Sequence, residues 1–173
     1  MTISYGHGIS TSPVHLAAGY AAIVNGGTLV KPTLLKQPAP PRGARIISEK
    51  TSRDLRSMMR RVVTEGTAKI GDVPGYSVAG KTGTADKPSP QGGYYKDKVL
   101  ATFASFFPST DPRYVLIVTL DEPEDRTGPE PRRTAGATAV PVAAEIIRRV
   151  APLLGIAPEI EPTLQNGLTL ANN

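Results

Sequence analysis

The chain has 173 residues, 39% of them hydrophobic, which suits one compact domain with a real core. With 17 Gly and 17 Pro but only 5% aromatics and no Trp, it reads as loop-rich yet globular, not disordered. The formal charge of +5 is carried by pairs such as Arg60-Arg61, Arg132-Arg133 and Arg148-Arg149. Such pairs, without interleaved aromatics, fit solvated faces better than a nucleic-acid surface. Attraction to an anionic polymer or membrane surface stays open. The chain has no Cys, so disulfides and thiolate metal sites are excluded, and His7 and His15 alone make a poor zinc site. No metal or cofactor is therefore expected. The longest apolar run, Val115 to Val118, is far too short to span a bilayer. Met1 to Tyr5 has neither the basic start nor the apolar stretch of a signal peptide.

Ser12-Pro13 opens the first predicted element, Ser as N-cap and Pro at the first helical position. Val14 to Asn25 is apolar on nearly every side, which predicts a buried helix ended by Asn25-Gly26-Gly27. Thr28 to Leu35 suits a short strand, and Gln37 to Gly43 an exposed connection. Ser48 caps a second helix to about Glu65, with Leu55, Met58, Met59, Val62 and Val63 at helical spacing and Gly66 closing it. The Met pair reads as core packing.

Three extended segments follow: Tyr76 to Ala85, Val99 to Phe107, and Tyr114 to Leu120, the last predicted to be the most buried. Pro108 to Arg113 is a turn-rich link of hairpin length, and Asp86 to Lys98 is a longer loop. No crossover helix fits between these segments, so an antiparallel meander is expected. A final helix starts between Ala137 and Val142 and runs to about Val150, presenting Val142, Ile146, Ile147 and Val150 to a core. Together these elements give an α+β domain over 1–155. A frayed tail is expected over 156–173.

Two chemistries compete for Lys81. Gly75 to Thr82 matches the phosphate-loop pattern G-x-x-x-x-G-K-[ST], and Tyr114 to Glu122 has the look of the acidic strand that accompanies such loops. That reading requires a buried strand before Gly75 and a helix starting near Lys81 whose amides hold the phosphates. Lys69 to Pro74 is polar and broken, Gly83, Asp86, Pro88 and Pro90 oppose a helix, and Tyr76 to Ala79 alternates like a strand. On a strand, by contrast, Thr82 and Thr84 project to one side, and Lys81 and Gly83 to the other. Two adjacent hydroxyls then suit a carboxylate. Gly83 admits a neighbouring segment or an extended peptide, and Lys81 lowers the cost of nearby negative charge and of deprotonating a hydroxyl.

Lys81-Thr82-Gly83-Thr84 is similar to the Lys-Thr-Gly motif of the penicillin-binding serine acyltransferases. Gly6 to Ala21 followed by Asn25-Gly26-Gly27, then Val62 to Ala68, then Val78 to Ala85, resemble in that order segments of class B penicillin-binding proteins, particularly division-type transpeptidases. The resemblance continues through Asp121-Glu122 and the helix containing Pro141. It implies an α+β transpeptidase fold with an antiparallel sheet between helical layers, and acyl transfer through a serine that cross-links peptidoglycan stem peptides ending in D-alanyl-D-alanine. β-Lactams would acylate the same serine. The resemblance further implies that Lys81 is catalytic, polarising a serine of the middle motif and supporting proton transfer. Thr82, Gly83 and Thr84 would bind substrate, with the Thr84 amide as one arm of the oxyanion hole. Location at the periplasmic face of the cytoplasmic membrane is implied for the full-length family member.

The chain departs from the family pattern in two ways. No Ser has Lys three residues on, so the nucleophile motif Ser-x-x-Lys is absent, and no Ser-x-Asn is present either. The expectation is the C-terminal part of a transpeptidase domain, inactive alone. Its partners would be the missing N-terminal part of the same domain, or a second copy paired through an exposed strand edge at Tyr114 to Leu120. A non-catalytic interaction module and a nucleotide-binding protein are the alternatives.

Overall fold

The computed structural model describes residues 9–38 and 43–159. Gly6-His7-Gly8, part of the connection before Gly43, and the chain beyond Glu159 lie outside the described residues. Helix α1 spans Pro13–Val24, α2 Glu49–Thr64 and α3 Ala139–Leu153; a 3-10 turn covers Lys69–Gly71. Strands β1 (Ala79–Pro88), β2 (Tyr94–Phe107) and β3 (Tyr114–Asp121) form an antiparallel sheet in the order β1-β2-β3. The α+β meander is as the sequence predicts.

Local chemistry sets the helix ends. The Ser12 side chain accepts from the His15 amide and that of Ser48 from the Thr51 amide, each satisfying a donor of the first turn. After α2, the Gly66 amide reaches back to the Arg61 carbonyl at 3.1 Å. Gly26 and Gly27 both have φ near +95°, which side-chain-bearing residues rarely adopt, and this turns the chain sharply after α1.

The sheet is packed on both faces. Cross-strand partners share a face, so Thr82, Phe103 and Val118 lie on one side and Lys81, Ala104 and Ile117 on the other. The first face carries the larger core: Phe103, Val140, Ala143 and Ile147 meet there with Val63 and Val73. The second holds a smaller cluster of Val24, Met59, Ala79 and Phe106 under α1 and α2. β2 is the buried centre.

Several expectations need correction. β3 is not the most buried strand: only Val118 is buried, because among the described residues β3 is paired on one side alone. Helix α1 is not buried on all sides, since only Ala22 and Val24 are; β3 and α2 cannot cover a helix apolar all round. Val14, Ala17, Ala18 and Ala21 instead line an open apolar groove with Tyr114 and Val115. Thr28 to Leu35 forms no strand; Thr28 makes a single bridge to Arg45. The strand expected from Tyr76 starts at Ala79, since Gly75 (φ +85°) and Ser77 (φ +43°) break the extension. The Asp86 to Lys98 loop is mostly hairpin, with β1 continuing to Pro88 and β2 beginning at Tyr94. Val142 and Met58 are exposed, whereas Met59 and the Ala-rich face of α3 are buried. The segment expected to fray after Gly155 is held as far as Glu159, whose amide donates to the Gly75 carbonyl at 2.7 Å while Ile156 packs on the core.

Candidate functional site

β1 is an edge strand, and Lys81 to Thr84 run along it in register with Ala101 to Ala104 of β2. The phosphate-loop reading fails here. Lys81 is in mid-strand, no helix starts near it, and its ammonium donates to the neighbouring Thr82 carbonyl at 2.8 Å. The Asp121-Glu122 pair of that reading is engaged otherwise, since Lys87 Nζ lies 2.7 Å from a carboxylate oxygen of each.

Thr82 and Thr84 face the same way, as the period of two requires, into a groove of about 580 Å³. Its other walls are Thr67 and Lys69 beyond α2, and Arg132, Thr134 and Gly136 before α3. The Ala135 amide donates to Thr84 Oγ1 at 3.0 Å, and Thr82 Oγ1 lies 2.8 Å from Thr67 Oγ1. The site is thus a cleft of mixed lining, Ile70 and Ala137 included, with hydroxyls on three walls and two cations at its rim. Arg132 is shared with Asp125, with which it pairs. Hydroxyl donors backed by positive charge are the chemistry that receives a carboxylate.

Lys81 and Gly83 face away from this groove, on the side of Ala104 and Thr102. Lys81 is exposed, and an added Cβ at Gly83 would meet only the Thr102 carbonyl oxygen, at 4.0 Å. Gly83 therefore makes no close approach to another described segment. Among the described residues no group of three or more metal-ligating side chains is assembled.

The sequence pattern of the transpeptidases extends well beyond four residues. Residues 1–148 match the family described as the penicillin binding protein transpeptidase domain. The chain belongs to that family. Over 168 residues it is 38% identical to the probable peptidoglycan D,D-transpeptidase FtsI of Caulobacter vibrioides, covering 91% of this chain and 28% of the relative. Stage V sporulation protein D of Bacillus subtilis is 34% identical over 169 residues, with 91% and 25% covered. In structure it superposes on the transpeptidase domain of Burkholderia pseudomallei penicillin-binding protein 3 with a TM-score of 0.80 and 36% identity. That match covers 92% of this chain and 47% of the other. Penicillin-binding protein 3 of Mycobacterium tuberculosis, solved with ampicillin, gives 0.73 and 30%, with 91% and 38% covered. This chain thus spans about a quarter of the curated relatives and less than half of these solved chains. It is part of a class B transpeptidase domain.

Sequence reasoning missed Thr67, Lys69, Arg132 and Thr134 as walls of the groove. Thr67 had a signal, since it ends the Gly66-Thr67 step after a closing helix within a segment already similar to the family. Arg132 and Thr134 had none, because nothing local marks the loop before α3 as facing β1.

At the far end of β1, ion pairs hold the hairpin in place. Lys87 bridges Asp121 and Glu122, and Lys98 lies 3.4 Å from Glu122. The hydrogen bond from Lys87, aided by Lys98, outweighs desolvation and holds the Glu122 carboxyl below its usual range. Bonds to Asp121 and then Glu122 raise Lys87. The contribution is therefore full between the ordinary carboxylate and lysine pKa values. It is lost as pH falls through the depressed value of Glu122 or rises through the raised value of Lys87. Urea melts against pH are expected to slope in the acid window for the native chain. Lys87→Met should flatten that slope, and a slope unchanged in the variant would refute the assignment.

Proposed function

We propose that this chain is the part of a peptidoglycan D,D-transpeptidase domain that grips the substrate's terminal carboxylate and supplies a cation beside the acyl-transfer serine. The observation that carries this reading is the groove in which Thr82 and Thr84 face a common space, with Ala135 already donating to Thr84. The Thr84 hydroxyl has one proton and no acceptor for it among the described residues, so it is ready to donate to a carboxylate. Gly83, unobstructed, leaves the strand edge open to an extended stem peptide. Lys81, on the other face, acts by polarising a serine and lowering the cost of its deprotonation. The Thr84 amide serves as an oxyanion donor.

The nucleophile comes from elsewhere. Neither Ser-x-x-Lys nor Ser-x-Asn occurs in these 173 residues, so the chain alone forms no acyl-enzyme. A further stretch of polypeptide carrying both motifs completes the site and covers the free edge of β3 and the apolar groove beside α1. A second copy paired along β3 is the other way to cover that edge. The complete protein works on peptidoglycan at the outer face of the cytoplasmic membrane. In the chain itself, no described helix is long and apolar enough to cross a membrane.

Incubation with a fluorescent penicillin and denaturing electrophoresis tests the assignment. No labelled band is expected from this chain alone, and a labelled band is expected after mixing with the segment that bears Ser-x-x-Lys. A covalent band from the chain alone would overturn the view that its nucleophile lies elsewhere. No label after association with that segment would favour a non-catalytic interaction module.

A further inference from the structure

Thr67 lies outside the Lys-Thr-Gly-Thr strand, in the turn that follows α2, yet its hydroxyl meets that of Thr82 at 2.8 Å. A hydroxyl has one proton to give and two lone pairs to receive. Thr84 receives from the Ala135 amide, so its own proton remains for the groove. For Thr82, the only side-chain partner among the described residues is Thr67. If Thr82 donated to Thr67, its proton would be turned away from a ligand. With Thr67 as donor, both strand hydroxyls present their protons to the same space.

We propose that Thr67 is a positioning residue of the carboxylate subsite, donating to Thr82 so that the Thr82 proton is aimed at the bound carboxylate. The inference rests on the reading of the groove given above. A carboxylate arriving in the groove selects this orientation, because it accepts and cannot donate. The resulting chain runs from Thr67 through Thr82 to the carboxylate, each bond polarising the next. The backbone fixes Thr67 for this role. The Ala68 amide donates to the Val62 carbonyl at 3.1 Å, holding the turn against the end of α2. On the opposite wall, a Cβ at Gly136 would stand 2.6 Å from the Thr67 carbonyl oxygen. The loop entering α3 therefore closes on Thr67 only because residue 136 has no side chain.

The test uses this chain, N-acetyl-D-alanyl-D-alanine as free acid, and the same dipeptide as its C-terminal amide, followed by amide chemical shifts in NMR. The free acid is expected to shift Thr82, Thr84 and Ala135, and the amidated probe to bind more weakly. Thr67→Val should weaken binding of the acid about five-fold, the worth of one neutral hydrogen bond. Its affinity for the amidated probe should stay unchanged, and Thr67→Ser should restore affinity for the acid. If Thr67→Val perturbs amides far from the groove, Thr67→Ala replaces it, with the same expectation. Native affinity for the acid in the folded variant, with Thr84→Val still abolishing binding, would overturn the role of Thr67 and leave the carboxylate reading intact. No acid-dependent shift in the native chain would overturn that reading, and the positioning role with it.

Discussion

Phe103→Ala is expected to cost about 3–5 kcal/mol, a large share of the roughly 5–15 kcal/mol that holds a domain folded. Phe103 is fully buried at the centre of β2. Its backbone pairs with Thr82 on one side and Val118 on the other. An added Cβ at Gly71 would stand 3.7 Å from the Phe103 ring, and one at Gly80 would stand 2.9 Å away. Gly80 has thus left room for this side chain, while the ring sits at ordinary contact distance from the Gly71 position. Removing the ring opens a cavity directly beneath the strand that carries the site, and among the described residues β1 has no outer strand with which to compensate. The urea midpoint should collapse while the m-value stays near native. Phe103→Leu, which keeps most of the volume, should cost less than about 1.5 kcal/mol. Equal losses for the two variants would contradict the packing argument.

The sequence made the helices legible because their signals are local. Ser12-Pro13 and Ser48 are caps whose side chains bond within a turn, and the structure has both. The meander was legible for a similar reason, since the link from Pro108 to Arg113 leaves room for nothing but a hairpin. Burial was harder to read, because it depends on what else is present. Tyr114 to Leu120 has the composition of an inner strand, and α1 that of an inner helix, yet both keep open faces. A composition suited to neighbours that the described residues do not supply is itself informative, and it supports the proposal that further polypeptide covers this side. The hairpin extension past Asp86 escaped notice because Pro88, Pro90 and two glycines read as a loop. The register shift between Asp86 and Pro88 is how β1 accommodates a residue with no amide hydrogen.

The site was legible only along one strand. Alternation placed Thr82 and Thr84 together, but the opposite wall is built by segments at 67 and 132–136, which no local pattern joins to β1. Gly83 is open, and the glycine under compression is the one before Lys81.

Gly80→Ala is accordingly expected to be the most damaging single-carbon change near the site. Its Cβ would fall 2.5 Å from the Ala104 carbonyl oxygen and 2.9 Å from both the Phe103 ring and the Ser105 Cα. Two of these three are backbone atoms of the paired strand and cannot swing aside, so β1 must lift from β2 over the residues that carry Lys81 and Thr82. A cost of about 3 kcal/mol, at the upper end of overpacking, should appear as a lowered urea midpoint. Gly83→Ala supplies the contrast. Nothing lies closer than 4.0 Å to its Cβ position, so stability should change by no more than about 0.5 kcal/mol. If an extended peptide runs along this edge, however, Gly83→Ala should weaken binding of N-acetyl-D-alanyl-D-alanine in the folded protein. A stable Gly80→Ala would mean that β1 and β2 are not held at this spacing. A Gly83→Ala chain that binds the dipeptide as well as the native one would place the ligand elsewhere. The two glycines, three residues apart on one strand, thus separate what the fold requires from what the substrate requires.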